Sequence, residues 1–289
     1  MSSTDESLAP EANDLAALAR RARAVRRHIV TMAHRSQTAH VATSLSCADI
    51  ITALYFGVMR LRPSEPTWPD RDRFILSKGH GCSALYAALA ERGFFPVDEL
   101  RTYREPLSRL QGHPELGRTP GVEFMAGSLG HGIAGGLGMA LGNRLDGRDR
   151  QVYVLVGDGE IQEGLNWEAI LAAPRFHEDN LIAMLDYNRW QSGGAVEATM
   201  PLEPVADKIR AFGWHVEDLD GHDLAGLLAA FAAARERKGV PTFLVCHTIK
   251  GKGVSFMEDN NLYHGKAPSD DEFARAMAEL ADDNGGGRA

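Results

Sequence analysis

The chain has 289 residues, of which 44% are hydrophobic, and its 39 acidic and 31 basic residues give a net charge of −8. This length and composition suffice for a globular core, and the absence of a long basic run argues against a nucleic-acid partner. The start of the chain lacks the segments of a signal peptide, no apolar run could cross a bilayer, and the three cysteines are scattered, so we expect a reduced, cytoplasmic protein without a membrane partner.

One main domain is predicted between two short ends. The polar, acidic residues 1–10 are interpreted as a flexible lead. Residues 11–282 are interpreted as a single ligand-binding domain, and the glycine-rich residues 283–289 as a disordered tail.

Helical periodicity marks the first elements of this domain. Apolar residues recur at helical spacing from Ala12 to about His34, which predicts an amphipathic helix. The segment from Cys47 to Met59 is apolar all round and predicts a second, buried helix. Pro63 and the prolines that follow it then indicate a loop.

Short apolar runs and helical patterns alternate through the rest of the chain. The runs have strand length and cover residues 73–77, 152–156, 181–185 and 242–246. Helical patterns cover residues 132–142, 163–173 and 224–234. Continuous apolar strands alternating with helices predict an α/β fold, a parallel sheet covered by helices on both faces. In such a sheet, ligands bind at the carboxyl ends of the strands.

Oxygen ligands follow two of these strands. The run 152–156 leads into Gly157-Asp158-Gly159, and the run 181–185 is followed by Asn188. These side chains, with one backbone carbonyl, suit Mg²⁺, which also takes ligands from substrate phosphates. Gly159 lets the backbone approach a phosphate closely. A plain turn with an Asp cap is the alternative, and Asn188 favours the functional interpretation.

Two other nucleotide-binding patterns are not met. After Gly157 and Gly159, Gln162 stands where a dinucleotide-binding G-x-G-x-x-G motif requires the third glycine. The chain also contains no G-x-x-x-x-G-K-[ST] loop, so nucleotide hydrolysis has little support.

The Gly-Asp-Gly motif followed by a strand-terminal Asn resembles the thiamine-diphosphate signature. Further motifs resemble those of transketolases, in the family's order: SKGHG at 77–81, GHPE at 112–115, GSLGHG at 127–132, KGKG at 250–253 and YHGKAP at 263–268. Each motif is weak alone, but together they are specific. The resemblance implies the thiamine-diphosphate-binding fold, with thiamine diphosphate and Mg²⁺, or another divalent cation such as Ca²⁺ or Mn²⁺, as cofactors.

The resemblance also implies roles for individual residues. It assigns His40, His113 and His264 to catalysis on the sugar substrate. It assigns the metal to Asp158, Asn188 and the backbone of Trp190, and cofactor binding to Thr43, His80, Gly127, Ser128, Leu129, Asp158, Gly159, Glu160, Asn188, Lys250 and His264. For any one of these histidines, a loop-capping role is the alternative, and the roles of His131 and Glu163 stay open. The loop TAHVAT around His40 departs from the family's SGHPG, which loosens the assignment of the substrate.

Transketolases of full length have three domains, and this chain resembles the first. The resemblance implies a separate C-terminal subunit that carries the pyrimidine-binding domain and the activating glutamate, in a heterotetramer. The reaction implied is transfer of a two-carbon ketol unit from a ketose, or its phosphate, to an aldose. Three alternatives are kept: the alpha subunit of a 2-oxo acid dehydrogenase, a deoxyxylulose-phosphate synthase, and a non-catalytic cofactor-binding or regulatory subunit.

Overall fold

The computed structural model describes residues 14–281, so the lead predicted over 1–10 and the tail predicted over 283–289 lie outside the described residues. The α-helices are α1 (Leu15–Ser36), α2 (Val41–Ser46), α3 (Ala48–Ala53), α4 (Cys82–Arg92), α5 (Gly132–Leu145), α6 (Gly164–Arg175), α7 (Val196–Thr199), α8 (Val205–Ala211), α9 (Leu224–Glu236), α10 (Leu262–Gly265) and α11 (Asp270–Glu279). Short 3₁₀ turns cover Gly79–Gly81, Val97–Thr102 and Glu160–Gln162.

A five-stranded parallel sheet lies at the centre, with the strand order β1-β2-β3-β7-β6. The strands are β1 (Arg73–Leu76), β2 (Val152–Gly157), β3 (Leu181–Tyr187), β4 (Trp190–Gln191), β5 (Gly194–Ala195), β6 (His215–Asp220) and β7 (Thr242–His247). Strands β4 and β5 form a separate antiparallel pair just after β3. The sheet confirms the predicted α/β class, and it brings the loops after β1, β2, β3 and β7 to one edge.

Alternate residues of the strands supply two hydrophobic cores, one on each face of the sheet. Tyr153 and Leu155 pack with α1, α3, α4 and α9 on one face. Val152, Val154 and Val156 pack with α5, α6 and α8 on the other. Because both faces are covered, the central strands are apolar at nearly every position, which is why they were readable in the sequence.

The structure corrects one helix prediction and gives the bounds of another, whose predicted start at Ala12 lies outside the described residues. The predicted helix from Cys47 to Met59 is wrong as a single element, because α3 ends at Ala53 and a wider π-helical turn covers Leu54–Val58. A segment buried all round has no polar face whose period could reveal such a change. The first helix begins at Leu15, where the Asp14 side chain accepts a hydrogen bond from the Ala17 N–H and caps it.

Strand β6 was not predicted. It lies at the edge of the sheet, and its polar side chains are half-buried or exposed while Val216 is buried. An edge strand of this kind has no continuous apolar run, so the pattern that reveals the central strands is missing. Within residues 14–281, no helix combines the length and apolar content needed to span a membrane.

Asp72, just before β1, ties distant parts of the chain together. Its fully buried carboxylate accepts hydrogen bonds from the Arg60 backbone N–H at 2.9 Å and from the Gln151 N–H at 3.0 Å. It also pairs with the guanidinium groups of Arg60 and Arg235, each at 3.1 Å. The loop before the sheet, the start of β2 and helix α9 therefore depend on one side chain.

We expect Asp72→Ala to lower the free energy of unfolding by about 3–5 kcal/mol, because two arginine side chains and two backbone N–H groups lose a buried partner. Asp149→Ala is the matched control. Its carboxylate also faces Arg60, at 3.7 Å, but its side chain is 86% exposed, so its loss should change stability by less than about 1 kcal/mol. Urea denaturation followed by circular dichroism measures both, and equal effects would contradict this account of Asp72.

Candidate functional site

A cavity of about 340 Å³ opens at the carboxyl edge of the sheet, beside the ends of β2 and β3. Most of the residues singled out in the sequence line it: His40, Thr43, His80, His113, Gly127, Leu129, Asp158, Gly159, Glu160, Asn188, Trp190 and His264. Ser128 and Lys250 are not among the lining residues. Ser128 is exposed beside Gly127, and Lys250 is buried behind His264.

Asp158 and Asn188 come together because β2 and β3 are neighbours and Gly157 pairs with Asp186. Asp158 is 2% exposed, and its Oδ1 accepts a hydrogen bond from the Gly159 N–H at 3.1 Å. Its Oδ2 is buried without a hydrogen-bond partner among the described residues. Burial, followed by the charge of Asp186, raises the pKa of Asp158 to about 7. A buried carboxylate with a free oxygen is costly unless a cation compensates it.

The Asn188 amide is oriented by its neighbours. Its Nδ2 donates to Asp186 Oδ2 at 3.1 Å, and its Oδ1 accepts from the Trp190 N–H at 3.1 Å. Within residues 14–281, no group of three or more His, Cys, Asp or Glu side chains is arranged to hold a metal alone. The arrangement therefore fits a cation that takes the rest of its ligands from a bound phosphate group.

Beneath the cavity lies a buried ion pair that sequence reasoning missed. Lys78 and Asp186 are each almost fully buried, and Lys78 Nζ donates a short hydrogen bond to Asp186 Oδ2. The Asp186 carboxylate also accepts from Ser46 Oγ at 2.6 Å and from Thr248 Oγ1 at 2.5 Å. Burial alone would raise the pKa of Asp186, but the Lys78 ammonium holds it below its ordinary value.

This pair sets the shape of the cavity floor. Lys78 Nζ donates to the Thr43 carbonyl at 2.8 Å, and Asp186 holds the Asn188 amide. Two of the predicted cofactor residues therefore take their positions from the pair. Lys78 lies inside the SKGHG motif, and Asp186 lies two residues before Asn188. A charged residue at the end of each of two apolar strands is the sequence signal that could have predicted this pair.

Histidines form one side of the cavity. The ring centroid of His40 lies 5.2 Å from that of His80 and 5.1 Å from that of His264. Burial is the main cause that lowers the pKa of His40 and His264 to about 4, and it also lowers the pKa of His80 and His113. These rings are neutral near pH 7, so each offers one N–H donor and one acceptor nitrogen.

Lys250 supplies positive charge behind this cluster. Its Nζ donates to Asn261 Oδ1 at 2.6 Å and to His264 Nδ1 at 3.0 Å, which puts the proton of the neutral His264 ring on Nε2. Burial lowers the pKa of Lys250 to about 8. The Thr43 hydroxyl lies 3.5 Å from His80 Nε2. Cation, imidazole and hydroxyl donors thus converge on one wall.

Glu160 faces the turns around the cavity. Its carboxylate accepts a short hydrogen bond from Ser77 Oγ and bonds from the Gly130 N–H at 2.9 Å and the Gly157 N–H at 3.0 Å. It thereby holds the turn after Gly127 against the end of β2. The Gly79 position is also tightly packed, since a Cβ there would lie 1.9 Å from the Ala126 carbonyl oxygen.

The fold and the cavity define the class of the molecule: an α/β protein whose ligand site lies at the carboxyl edge of a parallel sheet. The chain belongs to the transketolase family. The family described as "transketolase, thiamine diphosphate binding domain" matches residues 18–284, so thiamine diphosphate is the cofactor of the domain. This match confirms the resemblance and favours transketolase over the 2-oxo acid dehydrogenase alternative.

Two curated relatives match over most of their own length. The 6-deoxy-6-sulfo-D-fructose transketolase subunit SqwG of Clostridium sp. (strain MSTE9) is 44% identical over 241 residues, which are 83% of this chain and 88% of the relative. A subunit of the apulose-4-phosphate transketolase of Phocaeicola vulgatus is 38% identical over 257 residues, which are 89% of this chain and 91% of the relative.

Solved transketolases are larger than the part that this chain matches. Transketolase from Leishmania mexicana has a TM-score of 0.86 and 32% identity, and the match covers 91% of this chain but 41% of that chain. Transketolase from Campylobacter jejuni also has a TM-score of 0.86, at 29% identity, with 43% of its chain covered. This chain therefore spans about two fifths of the solved proteins.

The buried ion pair is open to a stability test. Lys78→Met should lower the free energy of unfolding by about 3–5 kcal/mol, because Asp186 stays buried without its cation. Asp186→Asn added to Lys78→Met should recover most of that loss, because an amide keeps polar contacts with Ser46 and Thr248 without a buried charge. Urea titration of the ligand-free chain measures both. A double variant no more stable than Lys78→Met would show that charge is not the cause.

Asp158 should make the ligand-free chain less stable as the pH rises. Its pKa is raised from 3.8 to about 7 in the folded chain, so the unfolded state loses its proton first. The folded state is increasingly disfavoured as the pH rises between these values, and the full penalty stays above them. At pH 8, Asp158→Asn should therefore raise the free energy of unfolding by about 2–4 kcal/mol, since one pKa unit is worth ~1.4 kcal/mol. The gain should shrink towards pH 4. A pH-independent effect in urea titrations would contradict it.

Proposed function

We propose that this chain is the thiamine-diphosphate-binding subunit of a two-subunit transketolase. The reaction is transfer of a two-carbon ketol unit from a ketose, or an anionic ketose derivative, to an aldose. The observation that carries the proposal is the cavity at the carboxyl edge of the sheet, where a buried carboxylate with one free oxygen lies near neutral histidines, with a lysine behind His264. The cofactor domain is proposed to cover residues 11–282, and the family match over 18–284 supports this extent.

The proposed cation site consists of Asp158, Asn188 and the backbone carbonyl of Trp190. The free Asp158 Oδ2 and the oriented Asn188 amide support it, because hard cations such as Mg²⁺, Ca²⁺ or Mn²⁺ take oxygen ligands. Gly159 is the next residue in the chain, and its N–H bonds to the Asp158 carboxylate that is proposed to bind the metal. A cation here would neutralise Asp158 and the negative charge of a bound diphosphate together.

The proposed diphosphate site lies on the wall formed by Thr43, His80 and His264, with Lys250 directly behind His264. Lys250 offers the positive charge, and the hydroxyl and imidazole groups offer hydrogen-bond donors. Gly127, Ser128 and Leu129 are proposed to hold the body of the cofactor, since this turn is exposed and no atom lies within 4 Å of a Cβ built at Gly127. Glu160 supports the same turn from behind.

Thiamine diphosphate, when bound, supplies a centre that stabilises a carbanion. This chain's contribution to the chemistry is assigned to His40, His113 and His264. Because their pKa values are lowered, these rings are neutral, and each can donate one hydrogen bond to a sugar hydroxyl or oxyanion. The acceptor nitrogen of His264 already bonds to Lys250, so only His40 and His113 are proposed to accept a bond as well. His40 Nδ1 is buried and has no partner among the described residues, so it is available to hold or receive a proton.

A separate subunit is proposed to complete the site. The two subunit-type relatives are covered over 88% and 91% of their length, whereas the solved transketolase from Leishmania mexicana is covered over 41%. The partner would carry the pyrimidine-binding domain and the activating glutamate, in a heterotetramer. The exposed Gly127–Leu129 turn at the cavity is where such a partner would close the site. Three free, buried cysteines suit a cytoplasmic enzyme.

The relatives suggest the kind of sugar. One is named for a sulfonated ketose, 6-deoxy-6-sulfo-D-fructose, and the other for a phosphorylated one, apulose 4-phosphate. Both substrates carry a tetrahedral anionic group at one end. We therefore propose a ketose with a phosphate or sulfonate end as the donor class for this enzyme.

Calorimetry tests the cofactor site and the partner together. Thiamine diphosphate with Mg²⁺ should bind tightly to this chain only when the partner subunit is present. Asp158→Asn in the complex should weaken Mg²⁺-dependent binding by about a hundredfold, because a charged metal ligand is lost. Asp149→Asn is the control: Asp149 is an exposed acid just before β2, and this variant should bind the cofactor normally.

Two outcomes would overturn the proposal. If the Asp158→Asn complex bound thiamine diphosphate and Mg²⁺ as tightly as the wild type, the proposed cation site would be wrong. Ketol transfer at a normal rate by this chain alone, measured with a coupled assay of aldose release, would remove the need for a second subunit.

A further inference from the structure

A histidine outside the cavity bonds to the backbone of the turn that carries Lys250. His222 follows β6, and only 11% of its side chain is exposed. Its Nε2 accepts a hydrogen bond from the Ile249 N–H at 2.8 Å, one residue before Lys250. Its Nδ1 lies 2.7 Å from Asp49 Oδ2. Since Nε2 is the acceptor, Nδ1 carries the proton and donates it to the carboxylate.

Asp49, on α3, fixes this histidine from behind. Its Oδ1 accepts a hydrogen bond from Arg26 Nη1 at 2.9 Å, and its Oδ2 accepts a short one from Arg26 Nη2. Burial alone would raise the pKa of Asp49, but Arg26 and His222 lower it to about 2, so the carboxylate is charged at neutral pH. A charged carboxylate only accepts hydrogen bonds, so it keeps the proton of the His222 ring on Nδ1 and leaves Nε2 free to accept.

Arg26 also reaches the other end of the same turn. Its Nε donates a hydrogen bond to the Lys252 carbonyl at 3.0 Å. His222 therefore holds the start of the turn 249–252, Arg26 holds its end, and Asp49 joins the two side chains. We call Arg26, Asp49 and His222 the Asp49 clamp.

The backbone between these two points is tightly packed. Gly251 has a φ of 83°, and a Cβ there would lie 2.1 Å from the Met257 carbonyl oxygen. Its N–H donates to the Ala42 carbonyl at 3.0 Å, and the Lys250 carbonyl accepts from the Asp259 N–H at 2.9 Å. A turn with so little freedom transmits the position of its ends to the residue inside it, and that residue is Lys250.

We propose that the Asp49 clamp positions Lys250 for the diphosphate of the cofactor. The inference rests on the function proposed above and adds positioning residues to it, since none of the three clamp residues lines the cavity. A charged group displaced by about 1 Å binds its ligand much less well, so the residues that support a site from outside control its affinity. His222 and Asp49 thus act on the cofactor through the lysine.

The test measures thiamine diphosphate binding by calorimetry, in Mg²⁺ and with the complex of this chain and its partner. Two amide variants separate the two hydrogen bonds of His222. His222→Asn can still bond to Asp49 but is too short to reach the Ile249 N–H, so we expect Kd to rise about tenfold. His222→Gln is longer and can accept from the Ile249 N–H, so its Kd should stay within about threefold of the wild type.

His215→Asn is the matched control. His215 also bonds to a carboxylate, that of Glu217 at 2.7 Å, but it is the first residue of β6 and lies at the opposite edge of the sheet. This variant should leave Kd unchanged. If His222→Asn bound as tightly as the wild type, or if His222→Asn and His222→Gln had the same Kd, the role of the bond to Ile249 would be wrong.

A double variant shows whether His222 acts through Lys250. Lys250→Met alone should weaken binding, and adding His222→Asn should then weaken it no further, because there is no ammonium left to position. A general loosening of the fold would instead give the same fold-change in both backgrounds, and that result would overturn the proposal.

A measurement on the ligand-free chain separates this inference from the proposed function. If the wild-type complex binds no thiamine diphosphate, the proposed function fails. NMR of lysine labelled with ¹³C at Cε then still reports the pKa of Lys250, which burial lowers to about 8. A loosened turn lets the ammonium reach water, so this pKa should rise in His222→Asn and stay near 8 in His222→Gln and His215→Asn. The same pKa in every variant would overturn the clamp.

Discussion

The cavity depends on a buried pair of opposite charges. Lys78 follows the first strand of the sheet and Asp186 lies at the end of the third, and their contact joins two loops that the chain places far apart in sequence. Each charge would be costly in the interior without the other. The pair also holds Thr43 from one side and Asn188 from the other, so the walls of the site take their positions from it.

Around this pair the site divides into regions of different charge. Asp158 and Asn188 present oxygen atoms, Lys250 carries a positive charge behind His264, and His40 and His264 are neutral rings that line the cavity. The neutrality of the histidines follows from burial, which penalises the charged imidazolium. Under the proposed assignment, one pocket would neutralise a diphosphate and its cation with charged groups and would bind the hydroxyl groups of a sugar with neutral ones.

Much of this arrangement was readable in the sequence, for physical reasons. The central strands are buried on both faces, so their apolar runs are continuous, and the residues directly after them had to meet at one edge. Strand β6 was not predicted because its exposed side carries polar residues, which interrupt the apolar run. The break after Ala53 was not predicted because a segment buried all round has no periodic face. The ion pair of Lys78 with Asp186 could not be predicted, because it depends on the register of β1, β2 and β3, and short motifs give no information on register.

The free oxygen of the buried Asp158 carboxylate gives the proposed cation site a consequence for the lifetime of the protein. If a bound cation compensates this buried charge, the empty chain is less stable than the loaded one, by mass action. The unloaded fraction would open more often and be removed first by cellular proteases. The amount of subunit in the cell would then follow the availability of cofactor, without any dedicated regulatory site.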